Sequence, residues 1–97
     1  MTEPKILLPD NARPELLRGV RTRWDEVRGS WVLLAPERAI MLDDIAMAIL
    51  NEADGKTSFT QIVERLADKY AAPAEQIAND AHAFLVSLIE RRMAEAH

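Results

Sequence analysis

The sequence predicts an α+β domain, a three-stranded antiparallel sheet followed by three helices in a winged helix-turn-helix-like outline. Three observations predict it. Residues 20–27 alternate apolar and charged side chains with the period of two that marks a half-buried strand. The second half of the chain carries apolar residues at helical spacing, interrupted twice by turn-forming residues. The chain has 97 residues, one domain's worth, so strands and helices must share a core.

Residues 1–17 contain Pro4, Pro9 and Pro14 and show no clean period. Proline fixes its own φ and lacks the amide donor, so this stretch reads as an extended, partly mobile N-terminal arm, with Ile6, Leu7 and Leu8 available to pack on the body. Residues 18–97 read as the single domain. In its first strand Val20, Thr22 and Trp24 alternate with Arg21, Arg23 and Asp25. Arg28-Gly29 supplies a turn, because glycine accepts a positive φ at no steric cost. Residues 30–35 are rich in strand formers. Pro36-Glu37-Arg38 interrupts them, and Ala39-Ile40-Met41-Leu42 forms a third, shorter strand.

Asp43 or Asp44 caps a first helix over about 44–53, with Ile45, Ala46, Ile49 and Leu50 facing inward. Asp54-Gly55 ends it, glycine taking the position just past the cap. Ser58 and Gln61 make a capping box for a second helix, whose stripe is Phe59, Ile62, Val63, Leu66, Ala67 and Tyr70. Ala71-Ala72-Pro73 breaks that helix, and Pro73 suits the first turn of a third, which runs to about 93. Its stripe is Ile77, Ala81, Phe84, Leu85, Leu88 and Ile89.

Composition narrows the function. Without cysteine there is no disulfide framework, thiolate metal site or cysteine nucleophile. No apolar run approaches the ~20 residues that span a bilayer, and the N-terminus lacks the pattern of a secretory signal, so the expected compartment is the cytoplasm and no membrane partner is expected. His82 has no ligating neighbour one turn away and His97 sits at the chain end, so no metal is expected. Asp43-Asp44 lies where helix capping favours acids, and adjacent residues do not face each other on a helix. Three glycines leave no phosphate-cradling loop. No nucleophile, base and orienting group assemble, so the chain reads as no enzyme, with no cofactor.

The net charge of −4 repels phosphate. A winged-helix DNA-binding regulator is the alternative reading, motivated by the outline of the helical half and the arginines of 18–28. A recognition helix must offer basic or amide side chains to the groove. Arg65, Lys69, Arg91 and Arg92 are instead offset by Glu64, Asp68, Glu75, Asp80 and Glu90, so no nucleic-acid partner is expected. Arg13, Arg18, Arg21, Arg23 and Arg28 are a local basic stretch suited to an acidic peptide or partner surface. Trp24 and Trp31 read as core or a cross-strand pair.

The strand Ala39–Leu42 falls at one edge of a meander, where unpaired amides and carbonyls accept an added strand. The third helix offers an apolar wall of Phe84, Leu85, Leu88 and Met93 beside it. This arrangement binds a peptide without any catalytic group.

Arg18-Gly19-Val20-Arg21, Arg23, Asp25 and Val32-Leu33-Leu34-Ala35-Pro36-Glu37 resemble the N-terminal signature of the PqqD family. The likeness continues through Leu42, Ala46, Ile49-Leu50, Asp54-Gly55, Ile62, Leu66, Tyr70, Asp80, Phe84-Leu85 and Leu88, over roughly residues 9–93. Two positions depart from the family: Ala81 stands where valine is common, and Arg92 where glycine is common near the end of the last helix. The resemblance implies a peptide chaperone of pyrroloquinoline quinone biosynthesis, a recognition element for ribosomally made and modified peptides. It implies binding of the precursor PqqA and its presentation to the radical S-adenosylmethionine enzyme PqqE. It also implies that the peptide adds beside the third strand at Arg38, Ala39, Ile40, Met41 and Leu42. The helical contacts it implies are Ile77, Ala81, Phe84, Leu85 and Leu88. A homodimer is compatible with the exposed edges and small size.

Overall fold

The computed structural model describes residues 8–97. Its elements are β1 (Pro14–Leu16), β2 (Arg21–Asp25), β3 (Ser30–Ala35), β4 (Arg38–Leu42), α1 (Asp44–Glu52), α2 (Phe59–Tyr70), α3 (Ala74–Glu90) and β5 (Ala94–Ala96). The expected meander is present as an antiparallel sheet in the order β2-β3-β4. Its first turn forms because Gly29 takes φ +66 and its amide donates to the Asp25 carbonyl. The Asp25 carboxylate accepts from the amides of Val27 and Arg28 inside the same loop.

The register assigns the two faces of this sheet. Trp24 pairs with Trp31 and Trp31 with Leu42, while Thr22 pairs with Leu33 and Leu33 with Ile40. Directly paired residues share a face and neighbours along a strand alternate. The face of Leu33 and Leu42 is the inner one: both join Ala46 and Leu50 of α1, Leu88 of α3, and Met93 and Ala94 in one core cluster. A second cluster fills the angle between the helices, with Ile49, Phe59, Ile62, Leu66, Ile77, Ala81 and Leu85, and is closed from the N-terminal side by Leu8 and Ala12. Phe84 and Ile89 of α3 pack against both clusters, so α3 is the beam that joins sheet to helices. Trp24 and Trp31 meet edge to face at 5.5 Å on the inner side and stay partly exposed.

The helix starts agree with the sequence reading. Asp43 caps α1 by accepting from the Ala46 amide at 2.8 Å. Ser58 and Gln61 form the reciprocal capping box of α2. The helix ends differ from it. Ala53, not Asp54, is the cap of α1, and Gly55 turns the chain two residues later at φ +77. Pro73 precedes α3 as its N-cap and is not inside its first turn. The last helix stops at Glu90, before the expected 93, because the chain bends at Arg92 with φ 60. There the Met93 amide donates to the Leu88 carbonyl and the Arg92 amide to the Ile89 carbonyl, a Schellman ending that drives Met93 into the core. Ala71 ends α2 in the same way at φ 50, with the Ala72 amide on the Ala67 carbonyl.

Residues 8–17, expected within the extended arm, make a turn at Asp10-Asn11 and then β1, and are bonded to the body; residues 1–7, with Ile6 and Leu7, lie outside the described residues. β1 pairs antiparallel with β5, Glu15 opposite Glu95. The amides of Gly55, Phe59 and Thr60 donate to the carbonyls of Pro14, Ala12 and Asp10. His97 extends this pairing through both its backbone groups on Arg13, and its Nε2 contacts the carboxylates of Glu15 and Glu95. The two-stranded β1-β5 sheet is an addition to the expected architecture.

Two glycine exchanges follow in opposite directions. A Cβ at Gly55 would lie 2.7 Å from Glu15 Oε2, and φ +77 is unfavourable for it, so Gly55→Ala is expected to cost about 1–2 kcal/mol in denaturant unfolding. Arg92→Gly relieves the same strain at the end of α3 and is expected to raise stability by up to about 1 kcal/mol, part of the relief being offset by the greater freedom of the unfolded chain.

A third expectation concerns acid. The backbone amides of Thr57 and then Lys56 donate to the Asp54 carboxylate and hold its pKa below the ordinary 3.8. A lowered folded-state pKa adds stability that is complete above the unfolded value and vanishes as pH falls through the folded one. The stability difference between the protein and Asp54→Asn is therefore expected to be constant above about pH 5 and to shrink below pH 3.8, as read by urea unfolding across pH.

Candidate functional site

The sheet order leaves β4 with β3 on one side and a free edge on the other. In an antiparallel pair, alternate residues bond to the neighbouring strand, and the amides and carbonyls of the others point away from it. β4 therefore presents a short row of unpaired donors and acceptors, the feature that accepts an added strand. It is five residues long, enough for two or three outward-facing positions.

Beyond the end of β4 the surface falls into an open groove of about 350 Å³ lined by Asp43, Ile45, Ala46, Ile49, Asp80 and Phe84. Its floor is apolar because Ala46 and Ile49 are core residues of α1. Phe84 of α3 and Ile45 of α1 form its partly buried apolar surface. Two carboxylates stand in its lining. Asp43 commits Oδ1 to the cap of α1, while Asp80 is exposed. The groove suits an aliphatic or aromatic side chain, and the acids disfavour a negative charge next to it.

The ten expected site residues divide by burial. On β4, Arg38, Ala39 and Met41 are exposed, Ile40 is half-buried and Leu42 is buried. Ile40 and Phe84 pack against the same core cluster. On α3, Phe84 is half-buried, whereas Ile77, Ala81, Leu85 and Leu88 are buried, Ala81 and Leu85 completely. Those four hold Phe84 in place from beneath, and Phe84 is the member of the helical set with surface to offer. Ile45, Asp43 and Asp80 line the groove without having been among the expected site residues. The helical stripe assigned Ile45 to the inside, and spacing alone does not separate the rim of a stripe from its centre.

The remaining polar features have structural roles. His82 Nε2 faces the Leu8 amide at 3.3 Å and its ring meets Phe59 edge to face. Among the described residues, one group of three offers metal-ligating atoms within 4.8 Å of one another, Glu15, Glu95 and His97. It lies on the β1–β5 pair, where the imidazole bridges the two carboxylates. Glu64, Asp68, Glu75, Asp80 and Glu90 are all exposed on α2 and α3, and Arg65 is paired with Glu52 at 2.9 Å, so these helices offer no basic face to a DNA groove. No helix among the described residues is long and apolar enough to cross a membrane.

Known proteins share this architecture. The family model described as coenzyme PQQ synthesis protein D (PqqD) matches residues 30–94. The chain is 44% identical to a PqqA binding protein of Rhizobium meliloti over 98% of this chain and 97% of that one. It is 42% identical to a PqqA binding protein of Xanthomonas axonopodis pv. citri over 86% and 90%. Two solved structures are similar. The solution NMR structure of the PqqD truncation of Methylobacterium extorquens PqqCD represents a functional, stand-alone RiPP recognition element. It superposes with a TM-score of 0.80 at 41% identity, over 97% of this chain and 99% of that one. The crystal structure of PqqD from Xanthomonas campestris gives 0.56 at 37% identity, over 94% and 96%.

Burial separates the two neighbouring α3 side chains in a measurable way. Leu85→Ala empties a sealed core position and is expected to cost about 2–5 kcal/mol of stability. Phe84→Ala is expected to cost clearly less in a urea titration, since part of that side chain already meets water.

Proposed function

The chain belongs to the PqqD family, and from that premise we propose that it is a non-catalytic adaptor that captures a precursor peptide, PqqA in this family, by strand addition along β4. The observation that carries this reading is the free edge of β4 running into the apolar groove at Phe84 and Ile45. Support comes from the relatives called PqqA binding proteins and from the recognition element of similar fold.

The mechanism needs only the groups described. An extended peptide lays its backbone against β4, and its amides and carbonyls bond to those pointing outward. This fixes direction and register with little dependence on β4 side chains. Alternate peptide side chains then face the inner side of the sheet, where one apolar residue settles against Phe84, with Ile40 and Ile45 at its flanks. Leu42, Ile77, Ala81, Leu85 and Leu88 serve the site as the packed base that keeps the groove open. The backbone bonds give affinity and the groove gives selectivity, and no bond is made or broken.

The bound peptide is then presented to a radical S-adenosylmethionine enzyme, PqqE, for cross-linking. An adaptor that pairs with the leader and leaves the rest of the peptide extended suits that hand-over, and it places the protein in the cytoplasm with its enzyme. A second copy could add to the same edge of β4, so homodimerisation would compete with peptide.

Titration of isotope-labelled protein with synthetic PqqA, followed by amide shifts, tests the reading. Saturable shifts are expected at 38–42 and around Phe84, with slowed exchange of outward-facing β4 amides. Phe84→Ala is expected to weaken binding by on the order of tenfold, the effect of removing one aromatic anchor. Shifts confined to α2, or none at all, would refute strand addition at β4.

A further inference from the structure

The adaptor reading uses the edge and the inner side of the sheet and leaves its outer face without a task. Arg21, Arg23, Val32, Leu34, Ala39 and Met41 share that face through the register Arg21–Leu34–Ala39 and Arg23–Val32–Met41. Val32 is only 7% exposed, yet it belongs to neither core cluster. Val32 lies between Arg23 and Met41, and the Arg28 guanidinium sits 3.6 Å from the Met41 sulfur. Arginine stems laid over apolar groups in this way bury the methylenes and hold the charged heads in water.

Three features make this face unlike the rest of the surface. It exposes apolar groups, with Met41 56% and Val27 of the adjoining loop 97% exposed. It contains an open groove of about 670 Å³ whose lining includes Arg23, Arg28, Val27, Val32 and Leu34. Its arginines are under-paired. Among the described residues neither Arg21 nor Arg23 has an acidic partner within 4.0 Å, and Arg28 reaches Asp25 only at 3.8 Å. The rest of the charge runs the other way, since residues 43–97 hold ten acids against five lysines and arginines. The outer face thus carries Arg21 and Arg23, with Arg28 of the adjoining loop beside them, on a protein that is acidic as a whole.

We infer that the outer face of β2-β3-β4 is a docking surface for an acidic patch on a second protein, the enzyme that receives the bound peptide. This rests on the adaptor reading. Under-paired arginines around an exposed methionine have the composition of a protein interface core, where Arg and Met are enriched. The guanidinium fork pairs with carboxylates in two parallel bonds, which gives orientation as well as attraction. A nucleic acid is the poorer occupant, because Asp25 and Glu26 line the same groove and the net charge of −4 repels phosphate. A peptide strand on the edge of β4 leaves the β2 side of this face open, so the two partners bind together.

The test is Arg21→Glu/Arg23→Glu in the full chain, with PqqE and synthetic PqqA titrated separately by calorimetry at low and high salt. Expected are a loss of PqqE affinity on the order of tenfold or more, a steep salt dependence in the unaltered protein alone, and PqqA affinity within about twofold. Arg21→Gln/Arg23→Gln should show a smaller loss in the same direction, which separates charge from misfolding. Unchanged PqqE binding in both variants overturns the inference while the peptide reading stands. A switch from dimer to monomer with PqqE binding intact also overturns it and assigns the face to a second copy. An unaltered protein that binds no PqqA overturns the adaptor reading, and the inference with it.

Discussion

The inner face of a three-stranded sheet cannot hide itself, and in this protein it has α1 and α3 to bury against. Leu33 and Leu42 set the demand, and Ala46, Leu50, Leu88 and Met93 meet it. At about 1.5–3 kcal/mol for each large aliphatic side chain sealed from water, this contact outweighs any single hydrogen bond or ion pair in the chain. It also fixes a geometry. Phe84, one turn before Leu88 on α3, packs against the same cluster as Ile40 of β4, the strand whose second edge no other strand covers. The groove at Phe84 and Ile45 is a by-product of covering the sheet with a helix that also belongs to the helical core. The ion pairs contribute far less. Arg65–Glu52 and Arg28–Asp25 are largely exposed, and such pairs add at most about 1 kcal/mol.

Much of this was legible in the sequence, because the signals were local and periodic. The alternation in 20–25 marked β2, Gly29 marked its turn, and the capping residues Asp43 and Ser58 marked two helix starts. What stayed hidden was long-range or strained. β1 and β5 are three residues each and pair across some eighty residues of chain, so neither carries a period, and the prolines of 1–17 argued for an arm. The end of α3 was concealed because the left-handed position of its Schellman turn holds Arg92 and not glycine. Ala71 repeats the lesson at the end of α2, where the alanine run read as a break and the structure makes it a cap.

The candidate site was half legible for the same reason. An edge strand can be inferred from strand count and order, and so can the neighbouring helix. Which residues of that helix keep a surface depends on what packs behind them. Phe84 and Leu85 are adjacent in the chain and both apolar, yet one ring keeps some exposed surface and the other side chain is sealed. A helical stripe wider than the contact beneath it has a rim that stays partly exposed. Ile45 is the corresponding rim residue on α1.

The alternation of a strand turns one element into two surfaces. Along β4, Ile40 and Leu42 face the core and Ala39 and Met41 face outward, while the backbone edge between the two faces is free. A peptide bonded to that edge needs neither face in full. Its backbone satisfies the edge, and half of its side chains reach the groove on the inner side. The outer face then keeps its arginines over Val32 and Met41 whether or not a peptide is bound. A domain of under one hundred residues has little volume for deep enclosed cavities, but one short sheet with an edge and an exposed face offers two open surfaces that do not overlap. The segregation of charge follows the same division, with acids on the helices and at the groove and arginines on the outer sheet. On the proposed reading, two partners would meet differently charged surfaces on the two sides of β4.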